Sequence, residues 1–378
     1  MEISSFLIED WMNDHEDFAT YNLAETCVYS MSMDQLFDLT GTDREVFLRE
    51  MTSRRLTYGT IDGSHGFRKG ISSMYQTITP DDIRTTHGAA GANHLVFYSL
   101  VSPGDMVVCV GPTYQQLYSI PESFGAKVTR IPLKKEDQYY LDTTALRRMS
   151  RAGADLICIN NPNNPTGARI PDEQLLEIAD FARQTNAVVL CDEVYRNLTQ
   201  DGSAMMSIAD VYERGISTGS MSKVFSFAGL RLGWVACRDK KIMEKISSHR
   251  DYSHISCGMI DEMVSDLVLS NYDQVLNRSR TMVRENLAIL EEFVESTPIL
   301  SWVKPQAGTT ALLHYKHKLV SYKLCERLLE ETGVLLSPGV CFGLENCVRI
   351  GYACDGQELR DGLRLFGEFL NRLTAGRR

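Results

Sequence analysis

The chain has 378 residues, room for two or three folding units at roughly 150 residues each, and its 43% hydrophobic and 23% charged residues are those of an ordinary globular protein, which excludes collagenous, disordered and fibrous-repeat classes. Thirty-nine Lys and Arg against 49 Asp and Glu give a net charge of -10 with no basic run or basic helix face, which argues against a nucleic-acid or anionic-membrane partner. No apolar stretch approaches the roughly 18 residues that cross a bilayer, and the opening run MEISSFLIEDWM is acidic where a secretory signal is basic, so a cytoplasmic location is expected.

Taken in chain order, β-branched runs predict strands at Met106 to Val110, Lys127 to Pro132, Asp155 to Asn160, Ala187 to Cys191, Gly215 to Thr218 and Gly233 to Cys237. Between two of them, Leu175, Ile178, Ala179 and Ala182 recur at helical spacing and predict a helix over Pro171 to Thr185. This alternation reads as a parallel α/β sheet. Beyond about residue 240 the pattern turns helical, with Leu276, Val283, Leu287, Leu290 and Val294 striping Tyr272 to Ser296 and further helices at Ser321 to Thr332 and Gln357 to Thr374. A second, smaller α+β domain joined by the N-terminal segment follows from that change. Ten cysteines lie scattered without CxxC spacing, several inside apolar runs, and read as buried reduced thiols.

In an open parallel sheet, ligands bind at the carboxyl ends of the strands. One predicted strand ends in Asn160-Asn161-Pro162-Asn163-Asn164-Pro165-Thr166-Gly167, the next in Asp192-Glu193-Val194-Tyr195, a third in Ser220-Met221-Ser222-Lys223, and a fourth, Met106 to Gly111, in Pro112-Thr113-Tyr114. Upstream, Thr86-His87-Gly88-Ala89-Ala90-Gly91-Ala92-Asn93 opens an apolar helix with small residues, so that helix N–H groups can approach a phosphate. Each piece alone has a plain structural explanation: a double turn, a helix cap, a core tyrosine, a solvated lysine. Ser220 to Lys223 also fits the S-x-x-K pattern of penicillin-binding enzymes, but the companion S-D-N and K-T-G motifs are missing. No G-x-G-x-x-G follows a strand, no Walker A is present, and His314 and His317 lack carboxylate or cysteine company, so no metal is expected.

Jointly, Asn164, Asp192, Tyr195, Ser220, Lys223 and Arg231 in this order resemble the fold-type I pyridoxal 5'-phosphate (PLP) enzymes, specifically the class I/II aminotransferases. The likeness extends through Ser220-Met221-Ser222-Lys223-Val224-Phe225-Ser226-Phe227-Ala228-Gly229-Leu230-Arg231-Leu232-Gly233, Tyr58-Gly59 with Gly63 and Gly66, Gly308, Ser337-Pro338-Gly339, Phe342-Gly343 and Val348-Arg349-Ile350. It implies a large PLP domain over 46–282 with a mostly parallel seven-stranded sheet flanked by helices, and a smaller α+β domain over 283–378 that the segment 1–45 joins. It implies ping-pong transfer of an amino group between an amino acid and a 2-keto acid through a Lys223 Schiff base, with Lys223 also moving the Cα proton; a buried lysine near other positive charge can have its pKa lowered from about 10.4 toward 7 or 8, which such proton transfer requires.

The resemblance further assigns ionised Asp192 to the pyridine nitrogen, Tyr195 and Asn164 to the phenolic oxygen, and Tyr114 to the ring face. Around the phosphate it puts Gly88, Ala89, Ala90, Ser220, Ser222 and Arg231, with Tyr58 reaching the phosphate of a neighbouring subunit in a homodimer. Arg349 takes the substrate α-carboxylate, its fork matching two oxygens. Where the family carries a Gly-containing loop, this chain has Tyr21-Asn22-Leu23-Ala24-Glu25-Thr26-Cys27, which makes Glu25 a candidate partner for a basic substrate side chain. Two further departures are His87 beside the phosphate loop and the ionisable run Ser248 to His254. The run Ile8-Glu9-Asp10-Trp11-Met12 resembles the start of capreomycidine synthases, a branch that cyclises a hydroxylated arginine. Racemisation, β-elimination or cyclisation of an arginine-like or other amino acid is therefore the alternative outcome, since all begin with the same carbanion.

Overall fold

The computed structural model describes residues 2–375. Its largest sheet has seven strands: β1 (Ile83–His87), β2 (Met106–Gly111), β3 (Lys127–Pro132), β4 (Leu156–Asn160), β5 (Val188–Asp192), β6 (Gly215–Ser220) and β7 (Leu232–Ala236). The spatial order is β1-β7-β6-β5-β4-β2-β3, parallel throughout except that β7 runs against both of its neighbours. The mostly parallel sheet expected from the resemblance is thus present. All five residues of β4 and of β5 are buried, as strands covered on both faces must be.

Alternation along the strands sorts the core into two layers. Val108, Val110, Ile157, Ile159 and Val189 point to one face, where Leu146, Leu175, Ile178 and Phe181 meet them. Val107, Cys109, Leu156, Cys158 and Leu190 point to the other, against Leu95, Val96, Ile242 and Ile246. Each fully buried aliphatic side chain contributes about 1.5–3 kcal/mol, so the two helical layers clamp the sheet between them. The predicted helix next to β4 spans Asp172–Thr185 and stops where Asn186 turns left-handed at φ 59° and donates its N–H to Ala182 O and Arg183 O.

The chain's N- and C-terminal parts meet. Tyr21–Asn22 pairs parallel with Val334–Leu335, and the Trp11 indole donates to Leu336 O at 3.0 Å. Beside them, Ser337–Pro338, Cys347–Gly351, Thr310–Tyr315 and Leu300–Trp302 form an antiparallel sheet in that order. The predicted long helix covers Tyr272–Ser296 without a break. One apolar cluster links Trp11 and Leu23 to Trp234 of β7 and to Phe366 and Leu370 of the last helix, Gly356–Ala375. All ten cysteines are free, and all but Cys354 are buried. Among the described residues no helix is long and apolar enough to cross a membrane.

Candidate active site

Register carries three strand ends to one place. Asn160 of β4 pairs with Asp192 of β5, and Asp192 pairs with Thr218 of β6, so the amide, the acid and the loop that bears Lys223 emerge side by side. A cavity of about 350 Å³ opens there. Of the residues singled out from sequence, Ala89, Ala90, Tyr114, Asn164, Asp192, Tyr195, Ser220, Ser222, Lys223, Arg231, Arg349 and Glu25 all line it.

The Asn-rich octet is held by its own side chains. Asn160 Oδ1 accepts from Asn164 N at 2.7 Å, Asn160 Nδ2 donates to Asp192 O at 2.9 Å, and Asn163 Oδ1 accepts from the Thr166 hydroxyl at 2.6 Å. These bonds leave the Asn164 amide facing Arg349, whose Nη1 donates to its Oδ1 at 3.3 Å.

Arg349 is buried at 4% exposure, with Nη2 on Ser337 Oγ and Ala24 O and with Nε lacking any partner. Among the described residues no carboxylate lies in ion-pair reach of it; a buried guanidinium in that state is a site for an incoming anion.

The helix Gly88–Leu100 begins without a side-chain cap, whereas the helices Thr143–Arg151 and Lys240–Arg250 are capped by Asp142 and Asp239. Its first N–H groups are therefore available to an anion. Arg231 reaches this end: a Cβ built on Gly88, itself at φ 68°, would lie 3.0 Å from Arg231 Nη2. Arg231 sits at φ 50°, a left-handed conformation that costs a non-glycine residue about 1–2 kcal/mol and marks a functional turn. The close seat of the helix depends on Gly233, where an added Cβ would meet Gly88 C at 2.4 Å. Uncapped N–H groups, Arg231, and the hydroxyls of Ser220 and Ser222 form a cradle suited to a phosphate.

Asp192 is 3% exposed, and its oxygens accept from Asn93 Nδ2 at 2.8 Å and Val194 N at 3.1 Å. Burial pushes its carboxyl up, while Asn93, the Val194 N–H and the Lys223 charge hold it down. Tyr114 donates its hydroxyl to Glu9 Oε1 at 2.8 Å, which ties a cavity wall to the N-terminal helix Leu7–His15. The Tyr195 phenol is buried and pushed up for that reason, with Lys223 and the Thr26 hydroxyl opposing.

Lys223 lies at the inner end of the cavity among hydrogen-bond acceptors. Its Nζ donates to Thr26 Oγ1 at 2.8 Å and Cys27 Sγ at 3.4 Å, and lies 3.8 Å from Glu25 Oε1. Burial pulls the amine down, but Cys27, Tyr195 and Glu25 outweigh it and hold it above the ordinary lysine range. Among the described residues no second cation pairs beside it, and the surroundings favour the ammonium.

Glu25 accepts from Thr26 N at 2.6 Å and Cys27 N at 2.7 Å. Burial raises its carboxyl, but Lys223 and these N–H groups bring it to about 2. The segment is pinned by the Cys347–Gly351 strand, since a Cβ on Gly351 would fall 1.8 Å from Glu25 O.

Other singled-out residues lie elsewhere. Tyr58 is 77% exposed and away from this chain's cavity, among exposed Leu56 and Ile61. His87 packs its ring 4.7 Å from that of His254. The run Ser248 to His254 ends the helix Lys240–Arg250, where buried Arg250 meets Asp62 Oδ1 at 3.3 Å. Among the described residues no group of three or more His, Cys, Asp or Glu could hold a metal ion. Sequence reading missed Asn93, Thr26, Cys27, Glu9, Asn13 and Glu16 as cavity residues. Asn93 carried a signal, a polar residue at a buried position of a mostly apolar helix.

Comparison with known proteins agrees with this geometry. The family model described as aminotransferase class I and II matches residues 36–365. The chain is similar to a capreomycidine synthase of Streptomyces vinaceus, at 29% identity over 98% of this chain and 95% of that one. It is also similar to a probable aspartate/prephenate aminotransferase of Aquifex aeolicus, at 25% identity over 89% of each. A crystal structure of a PLP-dependent aminotransferase from Streptococcus suis 89-1591 superposes with a TM-score of 0.96 at 39% identity, covering 99% of each chain. Family membership implies PLP, and the uncapped helix end, the Arg231 cradle and the buried carboxylate of Asp192 fit that group. With lysine loop, strand ends and arginine strand all inside the matched region, the chain belongs to the class I and II aminotransferases, PLP-dependent transferases that move an amino group between an amino acid and a 2-keto acid.

Proposed function

We propose that Lys223, Asp192, Arg231 and Arg349 are the working core of this aminotransferase, and that PLP is held between them. The observation that carries this is the convergence of the four in one cavity, with neither arginine matched to a protein carboxylate among the described residues. When bound, PLP supplies a ring that draws electrons from the substrate Cα. Lys223 would hold it covalently through Nζ, Asp192 would face its ring nitrogen, and Asn164 and Tyr195 its phenolic oxygen. Tyr114 would cover the ring face, and the N–H groups of Gly88, Ala89 and Ala90, with Ser220, Ser222 and Arg231, would hold the phosphate.

Arg349 seats the substrate α-carboxylate, its fork already oriented by Ser337 Oγ, Ala24 O and Asn164 Oδ1. Lys223 Nζ, freed when the substrate amine takes its place, would take the Cα proton and deliver it to the carbon to which Nζ had been bound, on the far side of the substrate nitrogen. Thr26 Oγ1, Cys27 Sγ and Glu25 stabilise the ammonium that carries the proton, which is the role their effect on Lys223 supports. Mixing holoenzyme with single amino acids and no keto acid should release about one keto acid per subunit from its preferred substrate, then stop. Continuous turnover without a second keto acid would sink the transamination reading.

A second reading keeps the site and changes the outcome to cyclisation, elimination or racemisation on a basic amino acid. It is supported by three carboxylates, Glu9, Glu16 and Glu25, on the cavity wall and by the likeness to a protein named capreomycidine synthase. Glu16 makes no ion pair among the described residues, and Glu9 and Glu25, although they hold Tyr114 and Lys223, face the same cavity, so the three supply negative charge for a basic side chain once Arg231 and Arg349 are matched to phosphate and α-carboxylate. Glu25→Gln should raise KM for arginine-like substrates by up to about fivefold, on the order of 1 kcal/mol for one partly exposed charge, and leave KM for uncharged substrates alone. Equal effects on both substrate groups would remove Glu25 from side-chain recognition.

We place the protein in the cytoplasm, supported by ten free thiols, and treat 1–45 with 283–378 as the small domain and 46–282 as the large one, supported by the pairing of Tyr21–Asn22 with Val334–Leu335. A homodimer is supported by exposed Leu56, Tyr58, Tyr252 and Ile255, with Tyr58 serving the neighbour's phosphate. Sedimentation equilibrium should return twice the chain mass; a monomer at micromolar concentration would exclude shared sites.

A further inference from the structure

Asn93 lies one and a half turns into the helix Gly88–Leu100, is 1% exposed and lines the cavity. Asparagine is a poor helix-interior residue because its amide competes for nearby backbone groups. Here the amide does something else: Nδ2 donates to Asp192 Oδ2 at 2.8 Å, and Oδ1 accepts from the Thr218 hydroxyl at 2.7 Å. An ionised carboxylate only accepts, so Asn93 must turn its NH₂ toward Asp192 and its oxygen toward Thr218, and the Thr218 hydroxyl must then donate.

We propose that Asn93 is a positioning residue for Asp192, and that the Thr218 hydroxyl, by donating to Asn93 Oδ1, anchors the amide so that its NH₂ stays on the carboxylate. The proposal rests on the assignment of Asp192 to the PLP ring nitrogen made above. Three elements supply the parts. β5 brings the acid, β6 brings the threonine, and the phosphate-binding helix brings the amide, so seating of that helix and aim of the carboxylate are linked through one side chain. The Val194 N–H takes the other carboxylate oxygen. Both oxygens are thereby fixed in orientation while their remaining lone pairs stay free for the ring nitrogen. Asp192 buried without Asn93 would lose the first of the interactions that oppose its protonation, and a protonated Asp192 cannot keep a proton on the ring nitrogen.

The test uses holoenzyme reconstituted with PLP carrying ¹⁵N in the ring, in wild type, Asn93→Leu, Thr218→Val and Thr218→Ser. Readouts are the ring ¹⁵N chemical shift at neutral pH and the site of borohydride labelling. Wild type and Thr218→Ser should show a protonated ring nitrogen. Asn93→Leu should show the neutral one and a tenfold or greater loss of half-reaction rate, and Thr218→Val should move the same way by a smaller amount, all with the label still on Lys223. An unchanged ¹⁵N shift in both Asn93→Leu and Thr218→Val overturns the proposal, whatever happens to the rate. If Asn93→Leu does not fold, Thr218→Val, which only exchanges a hydroxyl for a methyl, decides the matter alone. A wild-type label on another lysine would instead bring down the site assignment on which the proposal rests.

Discussion

Lys223→Ala should abolish borohydride fixation of PLP and slow the half-reaction by about 10⁴-fold or more, the upper range for removing a positioned general base, with loss of the covalent seat added to it. That factor corresponds to about 5.5 kcal/mol of transition-state stabilisation. The wild-type adduct should map to the tryptic peptide that contains Lys223. Removal of the amine leaves Thr26 Oγ1 and Cys27 Sγ without their donor and takes from Glu25 the charge that helps bring its carboxyl to about 2. Glu25 should therefore titrate higher in the variant. Borohydride labelling of a different lysine, or a half-reaction within tenfold of wild type, would be incompatible with the role given to Lys223.

Asp192→Ala should separate attachment from chemistry. Lys223 and the phosphate cradle of Ser220, Ser222, Arg231 and the helix end do not include Asp192, so the borohydride label should persist on Lys223. Removal of the Cα proton should slow by about 10³-fold, the scale for loss of a buried, preorganised electrostatic partner. Asn93 Nδ2 and Val194 N lose their acceptor, at about 1–3 kcal/mol for each donor left unpaired, so a lower melting temperature is expected as well. Loss of the label together with the rate would signal collapse of the site, and an unchanged rate would remove Asp192 from the mechanism.

Local pattern served well where burial is periodic. Strands predicted at Asp155 to Asn160 and Ala187 to Cys191 are observed at Leu156–Asn160 and Val188–Asp192, because a strand covered on both faces has to be a continuous apolar run. The helices at Tyr272–Ser296 and Ser321–Thr332 match because each keeps one apolar stripe toward the core. The edge strand β1, IRTTH, went unread: it alternates no apolar residues, and its strand character comes from pairing with β7, Ile83 against Ala236 and His87 against Leu232. The helices Met33–Thr40 and Arg44–Ser53 carry caps at Ser32 and Asp43 but are short and bury only Leu36, Phe37 and Phe47, too few apolar positions to set a helical period.

The chain by itself determined which side chains stand at strand ends, because strand length and the following turn are local properties of a few residues. It also determined the lysine loop and the uncapped start of the helix at Gly88, which depend on small residues in succession. Only the tertiary structure decided what those groups touch. The bond from Lys223 to Thr26 spans 197 positions and that from Asn93 to Asp192 spans 99, and each needs a register, a helix seat and a rotamer that no local pattern specifies. The sign of the Lys223 perturbation was decided in the same way. Desolvation follows from burial alone, but the opposing Glu25 carboxylate and the Thr26 and Cys27 acceptors come from a segment far from Lys223 in sequence, and their effect depends on distances that exist only after packing.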